Sequence, residues 1–105
     1  MQNKILLSTT DFIQGRDKLG YLGIVTAENV LGVNVVRDLF ASFRDFFGGR
    51  SATLERALKD AREECLKELE ERAHAHGADA VIGITVETQI AEMVTVTAVG
   101  TMVKF

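Results

Sequence analysis

The chain has 105 residues, enough for one domain spanning 1–105 and too few for two; a domain of this size buries roughly two thirds of its unfolded surface. Its formal net charge of −3 gives no long-range attraction for nucleic acid or anionic lipid, so neither is expected as a partner. The single cysteine, Cys65, excludes an intramolecular disulfide and fits a reducing cytoplasm.

Met1 to Ser8 holds too few apolar residues for a signal segment, and no run approaches the roughly 20 that span a bilayer. The expectation is a soluble, unprocessed cytoplasmic protein. Ile5 to Thr9 reads as a short strand, followed by a polar connection from Thr10 to Lys18 that contains Gly15. Leu19 to Thr26, with Tyr21 between Gly20 and Gly23, reads as a second strand. Asn34 can cap a helix over Val35 to Phe47, because its side-chain oxygen can accept an unpaired amide of the first turn. Gly48 and Gly49 stop that helix.

Ser51 can cap a long helix reaching about His76. Leu54 stands where a capping box would have Glu or Gln. Leu54, Leu58, Ala61, Cys65, Leu69 and Ala73 recur at spacings of three and four, one apolar stripe at the helical period, and charged residues fill much of the rest. Gly77 suits the residue that ends such a helix. Ala80 to Thr88 alternates as a strand, with Ile82, Ile84 and Val86 on one face and Val81, Gly83, Thr85 and Glu87 on the other. A turn over Gln89 to Glu92 leads to Met93 through Lys104, where Val94, Val96 and Ala98 alternate with Thr95, Thr97 and Val99. The Thr-bearing face is only half polar, which points to cover by another subunit. The elements predict an α+β fold: a small antiparallel sheet packed against one long helix, plus a shorter helix.

With 47% hydrophobic residues and a mean hydropathy of +0.11, so small a domain must expose apolar groups or bury them against a partner, and a homo-oligomer is expected. Arg37–Asp38 and Arg44–Asp45 repeat after seven residues, which aligns each pair member with its counterpart on the predicted shorter helix. Aligned guanidiniums can bind a carboxylate or phosphate, or pair with acids of a neighbouring protomer; solvated surface has the same pattern. Leu39, Phe40, Phe43, Phe46 and Phe47 crowd the same segment and read as an interface or a core plug. Gly48-Gly49-Arg50-Ser51 before a helix could present amides to an anion, although any glycine turn with a cap looks alike.

Metal ligands would have to come from Cys65, His74, His76 and carboxylates, whereas a structural zinc site wants four nitrogen or sulfur ligands. His74 and His76 lie about 200° apart on a helix and converge only if it has unwound before Gly77. Cys65 on the apolar stripe reads as a small core hydrophobe. A divalent or thiophilic metal ion therefore stays an open cofactor. Nothing resembles a nucleophile elbow or a Cys–His pair, and the expectation is a protein that is not an enzyme.

Gly23-Ile24-Val25-Thr26-Ala27-Glu28, then Leu31-Gly32-Val33-Asn34 with the two Arg-Asp pairs and Gly48-Gly49-Arg50-Ser51, then Gly77-Ala78-Asp79-Ala80-Val81-Ile82-Gly83-Ile84 together resemble the YbjQ family. Where that family has an aromatic soon after the Gly-Gly-Arg-Ser turn, this chain has Leu54. The resemblance implies a YbjQ-like, dodecin-subunit-like α+β subunit assembled as a ring, a homopentamer in which sheets of neighbouring protomers combine. It carries a heavy-metal-binding label, which makes a metal carrier or sensor the alternative to a non-enzymatic ring with a small ligand held between protomers. No metal ligands transfer with it, because Cys65, His74 and His76 lie outside the matching motifs.

Overall fold

The computed structural model describes residues 5–31, 52–91 and 93–105, with residues 52–54 as backbone alone. The described elements run β1 (Leu6–Leu7), β2 (Gly20–Leu31), α1 (Ala52–Ala75), β3 (Ala80–Ile90) and β4 (Val94–Lys104). The expected shorter helix over Val35–Phe47 and its Asn34 cap lie outside the described residues, as does the Ser51 cap. The long helix and the C-terminal hairpin form where periodicity predicts them. β2, in contrast, continues five residues beyond the predicted Thr26.

The four described strands make one sheet in the order β1-β3-β4-β2. The expected antiparallel sheet needs correction: β4 pairs antiparallel with both neighbours, but β1 runs parallel to β3, so the sheet is mixed. The reason is connectivity. A chain that leaves β1, crosses to β2 at the far edge and returns through α1 enters β3 in the direction of β1. Beyond its two residues β1 is extended by the Ser8 amide to the Val81 carbonyl at 2.9 Å and the Ile84 amide to the Ser8 carbonyl at 3.1 Å.

Helix α1 lies chiefly over β2 and β4 and little over β3. Ala61, Cys65, Leu69 and Ala73 are its buried stripe, four residues apart and so stacked on one face. They meet Val25, Ala27, Val96, Ala98 and Met102 from the sheet, as the alternation in β4 predicts. Three of the four are small, which lets helix and sheet approach closely. The helix ends in a tight turn, with the Ala78 amide reaching the Ala73 carbonyl and the Gly77 amide reaching that of His74; Gly77 supplies the left-handed φ of 78°.

In β3 the predicted faces hold only in part. Ile82 pairs with Thr101 and Thr85 with Val99, so Gly83 and Ile84 together oppose Gly100 in a bulge. Gly83 adopts φ 60°, and its amide donates to the Thr10 carbonyl at 2.8 Å. The extra residue turns Ile84 and Val86 to the helix side along with Val81, while Ile82 faces outward. An unbroken period of two would have kept Ile82 with Ile84.

Ile82 is nevertheless buried. The 8–19 connection folds over the outer face at this end of the sheet and brings Ile13 and Leu19 onto Ala80, Ile82 and Val103. A Ser8–Thr10 hydroxyl contact of 2.6 Å and a bond from the Thr10 hydroxyl to the Phe12 carbonyl at 2.7 Å shape its start. The Arg16 guanidinium sits 4.3 Å from the centre of the Phe105 ring. The Phe105 amide in turn donates to Asp79 Oδ2 at 2.8 Å.

Candidate functional site

The remainder of the outer sheet face carries no cover among the described residues. Register places its rows as Ile24–Thr101–Ile82, Thr26–Val99–Thr85, Glu28–Thr97–Glu87 and Val30–Thr95–Gln89 across β2, β4 and β3. Ile24 is 74% exposed, and Val30 and Val99 are exposed as well. Thr85, Glu87, Thr97 and Val99 line a shallow depression in the middle of this face. β-branched side chains stiffen such a surface, since each loses little rotamer freedom when covered. The arrangement can pack flat against another apolar surface, with Glu28 and Glu87 flanking Thr97 as its only charges in those rows.

A second concavity lies where α1 overhangs the open edge of β2. Glu28 and Asn29 from the strand and Glu64, Lys67, Glu68 and Glu71 from the helix line it. Asn29 Nδ2 donates to the Ala61 carbonyl at 3.2 Å and ties the edge strand to the helix. Arg72 also joins helix and strand: its Nη1 donates to the Thr26 carbonyl at 2.8 Å and its Nη2 pairs with Glu68 one turn earlier. Sequence reasoning left Arg72 among the charges of the helix surface. Its reach to β2 depends on where the helix crosses the sheet, which periodicity does not reveal.

Of the sequence candidates, Arg37, Asp38, Arg44, Asp45, Gly48, Gly49, Arg50 and Ser51 all lie outside the described residues. Cys65 is fully buried, as expected of the apolar stripe. Its thiol donates toward the Ala27 carbonyl at 3.3 Å, with the Val96 carbonyl at 3.6 Å. Desolvation by burial pushes its pKa up, against a lowering contribution from the Ala98 backbone. His74 and His76 are exposed at the C-terminal end of α1, and His76 Nδ1 lies 2.9 Å from the Arg72 carbonyl. Nine residues of helix separate Cys65 from His74, about 13 Å along the axis, too far for one ion. The described residues contain no group of three or more His, Cys, Asp or Glu side chains that could hold a metal. Among the described residues Cys65, His74 and His76 therefore do not converge on one ion: the thiol faces backbone carbonyls in the core, and the imidazoles stand apart from it.

A mixed sheet of this order with one long helix across it defines a small α+β class. A crystal structure of a protein of unknown function of the DUF74 family from Pediococcus pentosaceus has that fold, with a TM-score of 0.70 at 16% identity over 96% of this chain and 97% of its own. The chain belongs to the YbjQ family, whose model, described as "Putative heavy-metal-binding", matches residues 5–105. A UPF0145 protein of Pseudomonas fluorescens is 55% identical over 104 residues, covering 95% of this chain and 98% of the relative. A UPF0145 protein of a Synechococcus strain is 50% identical over 101 residues with the same coverage. None of the described helices is long and apolar enough to cross a membrane.

Proposed function

We propose that the protein is a cytoplasmic, non-enzymatic, ring-forming homo-oligomer, a pentamer, that holds a small ligand between protomers. The observation that carries this reading is the outer sheet face, where Ile24, Val30 and Val99 stand exposed among threonines across three strands. A contiguous face of this kind is unusual on a monomer and typical of a surface that a neighbour covers. Burial of apolar area there supplies the association energy, and the Arg37, Asp38, Arg44 and Asp45 pairs with Gly48 to Ser51 are proposed to add ion pairs or an anion contact between protomers.

Native mass spectrometry of the untagged protein tests both parts, since one spectrum gives the subunit number and any retained mass. Five subunits with stoichiometric extra mass is the expected result; a monomer at every concentration overturns the reading. The same spectrum bears on the family's metal description. Retained metal that survives in a Cys65→Ser, His74→Ala, His76→Ala variant would take those three side chains out of consideration as its ligands. Arg44→Ala or Asp45→Ala should weaken assembly on dilution.

A further inference from the structure

Among the described strands β2 is the outermost on its side of the sheet, and it is twelve residues long. From Gly23 to Leu31 it contains one charge, Glu28, with no lysine and no proline, and it exposes Ile24 and Val30. An edge so long, apolar and weakly charged is a template on which another strand can pair. Weakly charged edges of this kind normally carry a device that blunts them.

The ladder shows where that device must act. Ala27 stands opposite Ala98 and Asn29 opposite Val96, and the Cys65 thiol meets both the Ala27 and the Val96 carbonyls from below, so these carbonyls point into the space between β2 and β4. Pairs in an antiparallel ladder alternate, which turns the amide and carbonyl of Thr26, one residue earlier, to the open side. That carbonyl is occupied by Arg72, which reaches it from the helix overhanging the edge while Glu68 holds the other side of the guanidinium. We infer that Arg72, held by Glu68, guards the β2 edge: it fills an acceptor that a strand from a second copy of the chain would need, and places a guanidinium in the middle of a stretch whose one charge of its own is Glu28.

Strand addition at Thr26 has to displace a charge-assisted hydrogen bond and leave the guanidinium a new partner. The guard acts in the plane of the sheet, whereas the proposed ring contact covers the outer face, so the two readings stand or fall separately.

Sedimentation velocity over a concentration series of the full chain, with infrared detection of intermolecular β-structure, tests the guard. Arg72→Ala should form species beyond the wild-type assembly with an association constant raised about tenfold. Adding Thr26→Pro to Arg72→Ala should return the wild-type distribution. Proline removes the outward amide that a new strand would bond and takes no hydrogen bond from the β2–β4 ladder. Association caused by general destabilisation would not be cured by a proline. Glu68→Gln, which loosens Arg72 without removing it, should give a smaller rise of the same kind and serves if Arg72→Ala does not fold. The inference is overturned if Arg72→Ala or Glu68→Gln matches the wild type, if the double variant associates as strongly as Arg72→Ala alone, or if Arg72→Ala merely dissociates the wild-type assembly.

Discussion

Gly100 shows how one residue type is imposed by its neighbours across the sheet. A Cβ built there would lie 2.5 Å from Val81 Cγ1 and 2.9 Å from Ile84 Cγ1, because the β3 bulge brings two side chains down onto a single β4 position. Gly100→Ala should therefore destabilise the fold by about 1–3 kcal/mol, read as a lower denaturant midpoint. Cys65 makes a different prediction, about pH. Burial raises its pKa, so the native state holds the thiol proton more tightly than the unfolded chain does. Its contribution to stability is complete below the unfolded thiol value near about pH 8.5 and is lost as pH rises through the higher native value. Unfolding free energies measured from neutral to alkaline pH should fall, and fall less steeply in Cys65→Ala. Native protein should also resist an aromatic disulfide reagent until denatured. The stripe spacing made Cys65 legible as a core residue, but the identity of the carbonyls around it was set by strands more than thirty residues away in sequence.

At the scale of elements, α1 and β4 were readable because each repeats a single period long enough to mark one face. β3 was misread after Ile82 since a bulge adds one residue and no composition rule locates it. Its one sequence trace is Gly83, whose φ of 60° other residues adopt only with strain. Gly83→Ala should cost about 1–2 kcal/mol through that strain alone, because its Cβ would meet only Asp11 Oδ1, at 3.7 Å. The loss should appear in equilibrium unfolding without a change in helix content by circular dichroism. The 8–19 connection, expected to be polar over Thr10 to Lys18 with Leu19 opening the second strand, is indeed mostly exposed. Ile13 and Leu19 are the two positions by which it closes the second small core, and isolated apolar residues in a linker carry no period to reveal this.

For the whole molecule, the central question is what covers the outer sheet face. Val99 lies at its centre with Thr26 and Thr85 on either side. If the face is an interface, Val99→Glu buries an unpaired carboxylate at each contact and should reduce the native assembly to protomers, measured by size-exclusion chromatography with light scattering. A solvated face would tolerate the change to within about 0.5 kcal/mol and leave the mass unaltered, which would count against the ring reading. Retained assembly in Val99→Glu together with its loss in Arg44→Ala would move the interface from the sheet face to the Arg-Asp segment.

By itself the sequence determined the helix with its buried stripe, the C-terminal hairpin, the Gly77 stop and the family, because each of these rests on local periodicity or on contiguous motifs. Tertiary structure alone decided that β1 joins parallel, that β3 reverses its faces at Gly83, that the 8–19 connection seals one end of the sheet, and that Arg72 reaches the edge of β2. Those four features depend on which strands become neighbours and where the helix crosses them. Such choices are made by long-range packing of surfaces, and the spacing of residues along the chain does not encode them.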